Sequence, residues 1–262
     1  MANMKKTCLI HQQQGIGDLI FIQKIIKKYV ENDFNVICPI LIQHRVIREH
    51  FSSDQVQYPL ISEQSTLLDN FEFAREHIYL VSQCESQFGD SLFTKPLDGD
   101  DFVFLPLGPA YKRLPDGLML SKYRLVGMDF SDWQEYVPTN RNYAAELALW
   151  NHLGLKRNSQ YTLVNEFSSN GRIEIKVPGD AVYMWKIEKF TLFDWITVLE
   201  RCSRLITVDT ALVWLAEVFV KKNVPVYVLS KWPTGEPSFG DFKPALRLPW
   251  KFTAQVSDLK LD

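Results

Sequence analysis

The chain has 262 residues, a length that suits one large domain or two small ones. Hydrophobic residues make up 46% of it and charged residues 23%, so it can bury a sizeable core. The net charge of −2 argues against broad nucleic-acid binding. No apolar run approaches the ~20 residues of a transmembrane segment, and the first residues lead into a strand rather than a signal-peptide core. We therefore expect a soluble protein of the cytoplasm, and the sequence leaves its oligomeric state open.

The four cysteines are scattered along the chain, and three of them lie in apolar runs. Such cysteines behave as small buried hydrophobes and are typical of a reducing compartment. Neither a C-x-x-C nor an H-x-x-x-H spacing occurs, which argues against a structural zinc site.

The first predicted elements are a strand, a glycine turn and a helix. The strand covers Cys8–Ile10, and the turn is Gly15-Ile16-Gly17-Asp18. Apolar residues then recur at the spacing of one helix face; they are Leu19, Ile22, Ile25, Ile26 and Tyr29. A dinucleotide fingerprint would need glycine at Ile20, and no Gly-Lys-Ser/Thr follows, so neither familiar phosphate loop is present.

Asp18 at the mouth of this turn has two interpretations. It is either the helix cap, a position that aspartate favours, or a catalytic base at the carboxyl end of a strand. His11, beside the same turn, is a candidate acceptor contact with a structural role as the alternative.

The rest of the first half alternates strand-like and helix-like segments, which predicts a parallel sheet. The predicted strands are Phe34–Ile37, Val56–Leu60, Ile78–Val81 and Phe102–Pro106, and Pro39–Arg48 leads into a short helix. Residues 107–138 form a helical or irregular excursion rich in aromatic residues. Tyr111 and Trp133, with Lys112, Arg113, Tyr123 and Arg124, could build an acceptor lid or pack between domains.

The second half repeats the alternation. A helix is predicted over Arg141–Leu153, stopped by Gly154, and another over Thr191–Arg201, with Thr191 as cap and Asp194 completing a capping box. The remaining predicted elements are strands at Tyr161–Val164, Glu174–Val177, Leu205–Val208 and Val224–Leu229, and a helix at Ala211–Val220. Together the halves predict two Rossmann-like domains, 1–140 and 141–262.

A second strand–turn–helix motif lies at residues 205–217, LITVDTALVWLAE. Its strand ends at Asp209-Thr210, and the helix that follows offers N–H groups to an anion. Asp209 is either part of that site or simply the helix cap. A cleft between two such units would face Asp18 toward Asp209-Thr210.

These two motifs resemble those of the ADP-heptose:lipopolysaccharide heptosyltransferases, which are GT-B glycosyltransferases of family 9. The family's first Gly-Asp turn matches Gly17-Asp18, and its Asp-Ser/Thr-Gly-x-x-His-x-x-Ala motif matches Asp209–Ala216. Here Ala211 replaces the family glycine and Trp214 replaces the histidine. The identity of the donor is therefore not carried over with the resemblance.

The resemblance implies a GT-B-like α/β fold of two Rossmann-like domains whose parallel sheets face each other across a cleft. The first domain would bind the acceptor, with Asp18 as catalytic base, and the second would bind the donor. The donor contacts implied are Gly17, Asp209, Thr210 and Ala211, and Ser168-Ser169 with Arg172 as a hydroxyl pair followed by a cation.

The chemistry of an inverting sugar transfer fits these residues. It needs a base for the acceptor hydroxyl and positive charge for the departing diphosphate. Lys231, just after a predicted strand, is a further candidate cation, with a solvated lysine as the alternative. We expect no metal or other cofactor, because no Asp-x-Asp motif follows a predicted strand. Asp98-Gly99-Asp100-Asp101 has the right residues but is typical of an acidic loop, with metal ligation as the alternative.

The sequence thus predicts an inverting, metal-independent transfer from a nucleotide sugar to a glycan acceptor. Two alternatives remain open at this point. One is a nucleotide-sugar epimerase of the same fold, and the other is a non-catalytic GT-B-like protein that binds a glycan or a partner.

Overall fold

A computed structural model of the chain describes residues 6–12, 15–62, 97–98, 102–110, 119–138, 140–185, 187–231 and 242–259. The chain divides into two compact units, Met1–Thr139 and Asn140–Asp262. The predicted strand at Ile78–Val81 and the side chain of Tyr111 lie outside the described residues. The assignment of acceptor to the first unit and donor to the second stays a prediction.

The first unit alternates short strands and helices. Its strands are β1 (Lys6–Ile10), β2 (Phe34–Ile37), β3 (Ile40–Leu41), β4 (Val56–Gln57), β5 (Leu60–Ile61), β6 (Leu97–Asp98) and β7 (Phe102–Leu105). Its helices are α1 (Ile16–Phe21), α2 (Gln23–Glu31), α3 (Val46–Phe51), α4 (Leu107–Ala110) and α5 (Leu120–Leu125), with 3₁₀ turns at Ile42–His44 and Trp133–Tyr136.

Strand β1 is central in the sheet of this unit. Within the described residues the strand order is β4-β2-β1-β7-β6, and β1 runs parallel to both β2 and β7. The strands are apolar on both faces, as a parallel sheet covered by helices requires; Cys8, Leu9, Val36 and Phe104 are fully buried. This topology brings the end of β1 and the end of β7 to the same edge of the sheet.

The second unit repeats this plan. Its helices are α6 (Tyr143–His152), α7 (Ile196–Arg201) and α8 (Ala211–Phe219), with 3₁₀ turns at Leu192–Trp195, Lys243–Ala245 and Val256–Asp258. Its strands are β8 (Thr162–Asn165), β9 (Phe167–Ser168), β10 (Gly171–Arg172), β11 (Ala181–Tyr183), β12 (Arg204–Val208), β13 (Val226–Leu229) and β14 (Lys251–Thr253).

The main sheet of this unit is parallel throughout its described strands, in the order β11-β8-β12-β13-β14. The prediction of an α/β fold built on parallel sheets is therefore confirmed. Since all these strands point the same way, the residues that follow β8, β11, β12 and β13 meet at one edge. A short antiparallel hairpin, β9–β10, stands on that edge.

Several local predictions can be compared with the observed elements. Gly154 ends α6 with a φ of +66°, as expected for a glycine stop, and Thr191 with Asp194 forms the predicted capping box. The predicted strand at Glu174–Val177 is wrong, because the partner of β8 on that side is Ala181–Tyr183. Ile175 and Val177 nevertheless pack into the core from an extended loop.

Cys8, Cys38 and Cys202 are buried and form no disulfide, as the sequence predicts, while Cys84 lies outside the described residues. Burial raises the pKa of the Cys202 thiol to about 12, so this side chain is a neutral core residue. Among the described helices, none has the length and apolar character needed to cross a membrane.

Candidate functional site

In the first unit the predicted base, Asp18, lies where β1 gives way to α1. Gly15 precedes the helix with a φ of +80°, and Asp18 is the third helical residue. Its carboxylate is 28% exposed and lies against Gly15, where a Cβ atom would collide with Oδ2. The alternative that Asp18 is the cap of the helix is wrong, because Gly15 occupies the cap position.

Asp18 is paired with a lysine that the sequence analysis did not single out. Nζ of Lys122, on α5, lies 3.0 Å from Oδ1 of Asp18, and the lysine side chain is fully buried. The same ammonium donates hydrogen bonds to Oε1 of Gln12 at 2.5 Å and to the backbone oxygen of Leu107 at 3.3 Å. Gln12 is itself buried, at the end of β1.

This arrangement has a physical consequence for Asp18. A buried ammonium is costly unless several oxygens surround it, and here the carboxylate of Asp18 is the charged one. Lys122 therefore fixes one carboxylate oxygen from inside the protein, while part of the group remains open to solvent.

The predicted acceptor contacts have different outcomes. His11 is half-buried after β1, with its ring stacked on Phe104 at 6.4 Å between centroids. Trp133 is fully buried and packs edge-to-face on Phe21, and its predicted contact with an acceptor stays a prediction. Tyr123 is equally buried and donates a hydrogen bond to the backbone oxygen of Phe21. Tyr111 lies outside the described residues.

In the second unit the predicted donor residues gather at the carboxyl edge of the sheet. Thr210 is the cap of α8, and its hydroxyl accepts a hydrogen bond from the backbone N–H of Leu212. Asp209 is therefore not the cap, contrary to the alternative interpretation. Asn165, the last residue of β8, donates to the hydroxyl of Thr210 at 3.2 Å and to that of Thr207 at 3.0 Å.

The hydroxyl turn and the lysine predicted from sequence join this group. The Nδ2 atom of Asn170 donates to the backbone oxygen of Lys231, which ties the turn between β9 and β10 to the end of β13. Nζ of Lys231 lies 3.8 Å from Oδ2 of Asp209. The turn carries Ser168 and Ser169, and Ser169 is exposed. One edge thus holds hydroxyls, a lysine, an aspartate and the start of α8.

Arg172 has a partner that the sequence did not reveal. Its Nε and a terminal nitrogen lie 2.8 and 2.7 Å from Oε2 of Glu166. Glu166 is buried and also accepts a hydrogen bond from the backbone N–H of Ile175 at 2.7 Å. The guanidinium faces the rings of Phe167 and Trp185. The charge of Arg172 is thus compensated within the unit, and its predicted contact with a diphosphate stays a prediction.

The two departures from the family motif lie on α8. Ala211 is the first helical residue, and Trp214 is buried with its ring 5.5 Å from that of Phe242. Trp214 therefore contributes to the core, whereas the histidine of the family motif is polar. Of the predicted acidic loop, Asp98 lies on β6, and Asp100 and Asp101 fall outside the described residues. Within the described parts of the chain, no group of three or more metal-ligating side chains is found.

Comparison with known proteins supports the fold expected from the motifs. The sequence matches no family profile and no curated protein. Its structure is similar to that of a glycosyl transferase family 9 protein from Veillonella parvula DSM 2008, with a TM-score of 0.53 and 10% identity over 97% of this chain and 87% of that one. This likeness confirms, at the level of the fold, the predicted resemblance to GT-B glycosyltransferases of family 9.

Two Escherichia coli structures are also similar, at lower TM-scores. ADP-heptose LPS heptosyltransferase II has a TM-score of 0.46 and 12% identity, with 95% of this chain and 90% of that one covered. Heptosyltransferase WaaC with ADP has a TM-score of 0.47 and 10% identity, with 97% and 96% covered.

Proposed function

We propose that this protein is an inverting, metal-independent glycosyltransferase that moves a sugar from a nucleotide-sugar donor to a glycan acceptor. The observation that carries the proposal is Asp18, a partly exposed carboxylate beyond the carboxyl end of a central parallel strand, held by the buried Lys122. Ligands of open α/β sheets bind at this edge. The fold shared with a family 9 glycosyl transferase supports the same reaction class.

In the proposed reaction, Asp18 removes the proton of an acceptor hydroxyl as that oxygen attacks the anomeric carbon of the donor. The bond between that carbon and the diphosphate breaks, and the nucleoside diphosphate leaves with its electron pair. A single displacement of this kind inverts the anomeric centre. General-base assistance contributes on the order of 10²–10⁴-fold in such steps.

The second unit is proposed to hold the nucleoside diphosphate. Its exposed serine hydroxyl and the hydroxyl of Thr210 lie at one edge, with the start of α8 and Lys231 beside them. The positive end of a helix attracts phosphate, and a lysine adds charge. We propose that these groups replace a divalent ion as the charge that stabilises the leaving group.

We also propose that the reaction takes place in the cytoplasm. The buried thiols of Cys8, Cys38 and Cys202 suit a reducing compartment, because none of them forms a disulfide. A nucleotide-sugar donor made inside the cell would be available there.

The substitution Asp18→Asn tests the proposal. It keeps the shape of the side chain and removes its basicity, so turnover against a panel of nucleotide sugars should fall on the order of 100-fold or more. Binding of nucleoside diphosphate should be unchanged, because the proposed contacts with it lie in the second unit. The assay is run with excess EDTA, and a strict requirement for added Mg²⁺ or Mn²⁺ would contradict the metal-independent mechanism.

A matched control separates chemistry from folding. Asp33→Asn makes the same change in the same unit, at a left-handed residue that asparagine tolerates, and should keep full activity. Near-full activity of Asp18→Asn would exclude Asp18 as the base. Absence of transfer by the unaltered protein with every donor, despite nucleotide binding, would favour the non-catalytic alternative, and interconversion of the donor sugar would favour the epimerase.

A further inference from the structure

Two large aromatic side chains are exposed at the carboxyl edge of the second sheet. Phe167 is 41% exposed and Trp185 is 48% exposed. Their rings meet edge-to-face at 6.2 Å between centroids, and the ring centroid of Tyr183 lies 6.3 Å from that of Trp185. Exposed aromatic residues that cluster in this way mark interaction sites more often than single exposed ones do.

The guanidinium of Arg172 completes this surface. It lies 5.4 Å from the centroid of Trp185 and 5.8 Å from that of Phe167. The bonds to buried Glu166 hold it in place, and Glu166 is in turn held by the backbone of Ile175. Because its charge is compensated, the guanidinium offers a flat face rather than a free charge.

Neighbouring contacts make the surface rigid. The hydroxyl of Tyr183 donates a hydrogen bond to the backbone oxygen of Ile175 at 3.1 Å. Tyr183 also pairs in register with Val164 of the neighbouring strand β8. Trp185 follows β11 by two residues, and the backbone N–H of Met184 between them donates to the backbone oxygen of Val164 at 2.8 Å. The surface is therefore preorganised, and binding to it loses little conformational freedom.

The position of this surface connects it with the proposed phosphate contacts. Phe167 and Arg172 are partners in the β9–β10 hairpin. The turn of that same hairpin carries Ser168 and Ser169 and is bonded to Lys231 through Asn170. A ligand whose phosphates lie on the turn would therefore have its next group beside the aromatic rings.

We infer that Phe167, Arg172 and Trp185 form a stacking platform for the nucleobase of the donor, a role that rests on the proposed function. Nucleobases stack on aromatic rings and on arginine planes. Stacking depends on the flat face that every base has, so the platform selects for a nucleotide and not for one particular base. It complements the hydroxyls and the lysine at the same edge, which would hold the phosphates.

The test measures binding by calorimetry with ADP, UDP and inorganic pyrophosphate. Trp185→Ala should weaken binding of both nucleotides about tenfold, since a stacked base contributes this much, and should leave pyrophosphate binding unchanged. Trp185→Phe keeps a ring and should retain most of the nucleotide affinity. Tyr143→Ala is the matched control, because Tyr143 is 68% exposed and lies under Arg141 in the same unit.

The outcomes separate this inference from the proposed function. If Trp185→Ala binds nucleotides as tightly as the unaltered protein, the platform is wrong and the donor site still stands. If Trp185→Ala instead raises KM for the acceptor alone, the surface belongs to the acceptor, which also overturns the platform. If the unaltered protein binds neither nucleotide nor pyrophosphate, the donor site and the platform fail together.

Discussion

Lys122 is the residue that adds most to what the sequence predicts about the candidate site. A fully buried lysine is rare, because its ammonium must be surrounded by oxygens. Here Gln12, Asp18 and Leu107 provide them. Replacing a buried charged network by apolar residues is often neutral for stability, so stability alone does not explain this lysine. Its contact with the proposed base assigns it a positioning role.

Removing this lysine should affect turnover more than donor binding. Lys122→Met leaves Asp18 without its buried partner and free to change rotamer, so kcat should fall about tenfold or more. KM for the donor should change little, since the proposed donor contacts lie in the second unit. Steady-state kinetics with both substrates measures kcat and KM, and thermal unfolding measures the stability of the variant.

The control for Lys122 uses another ion pair of the same unit. Lys24→Met removes the partner of Asp132, and should lower stability without a selective loss of kcat. If Lys122→Met does not fold, Lys122→Gln keeps N–H donors for Gln12 and Leu107 and is measured instead. If the Lys122 and Lys24 variants lose the same activity for the same decrease in melting temperature, Lys122 has only a structural role.

The candidate site was predictable from sequence where a strand–turn–helix motif marks it. Asp18, Asp209 and Thr210 belong to short strand–turn–helix motifs, and their locations follow from the motif alone. Lys122 gives no such signal, because a lysine in LSKYRL reads as the solvated side of a helix. Trp185 is likewise remote in sequence from Phe167, and only the pairing of β11 with β8 brings them together.

At the scale of elements, the turn between β1 and α1 places two requirements on Gly15. Gly15 has a φ of +80°, which favours glycine, and its missing Cβ also leaves room for the carboxylate of Asp18. The first need is one that glycine meets in any turn. The second depends on the side-chain rotamer of Asp18, which sequence does not encode locally.

Gly15→Ala should therefore lower activity beyond its effect on stability. The left-handed conformation costs an alanine about 1–2 kcal/mol, and the new methyl group must also displace the Asp18 carboxylate. We expect turnover to fall about tenfold or more, because a base moved by an ångström loses its alignment. Turnover and the free energy of unfolding are measured on the same preparation.

Gly154→Ala provides the comparison for this turn. Gly154 has a similar φ of +66°, and no atom lies within 4 Å of the position a Cβ would take. The Gly154→Ala variant should lose about as much stability as Gly15→Ala and keep its activity. A Gly15→Ala variant that is destabilised but fully active would show that Asp18 does not need its present rotamer.

Elements that depend on long-range pairing were harder to predict. Glu174–Val177 has the alternating pattern of a strand, and its apolar side chains do face the core. The edge of β8 is nevertheless taken by Ala181–Tyr183, a pairing decided by chain topology. The capping box at Thr191 and Asp194 was predictable because both partners lie within one turn of chain.

At the scale of the whole molecule, the fold class followed from the alternation of strands and helices in both halves. Parallel strands need crossovers, and those crossovers fix which strand ends share an edge. Strand β14 was not predicted, because Lys251–Thr253 is too short and too polar for a periodic signal. It is recognisable only from its pairing with β13.

The stability of the second unit depends on a buried carboxylate that bridges two helices. Glu146 on α6 is buried and accepts hydrogen bonds from Nε of Arg141 at 2.8 Å and from the hydroxyl of Thr197, on α7, at 2.6 Å. Arg141 also pairs with Glu200 on α7. Burial alone would raise the pKa of Glu146, but the hydrogen bonds from Arg141 and Thr197 outweigh it and lower that pKa.

This pKa shift sets the pH dependence of stability. Because the pKa of Glu146 is lower in the folded state, the unfolded chain binds its proton more tightly, and the ionised network stabilises the fold at neutral pH. This stabilisation is complete above about pH 4.3, the ordinary pKa of glutamate. It is lost as the pH falls through the lower pKa that Glu146 has in the folded state.

Glu146→Gln should therefore destabilise the protein at pH 7 by about 3 kcal/mol, because Arg141 is left without its buried partner. The difference from the unaltered protein should shrink as the pH is lowered below about 4.3. Urea unfolding followed by tryptophan fluorescence from pH 7 to pH 3 measures the destabilisation and its pH dependence. Glu174→Gln removes only the exposed pair with Lys176 in the same unit and should change stability by less than about 1 kcal/mol at any pH. A pH-independent difference for Glu146→Gln would mean that its charge does not stabilise the fold.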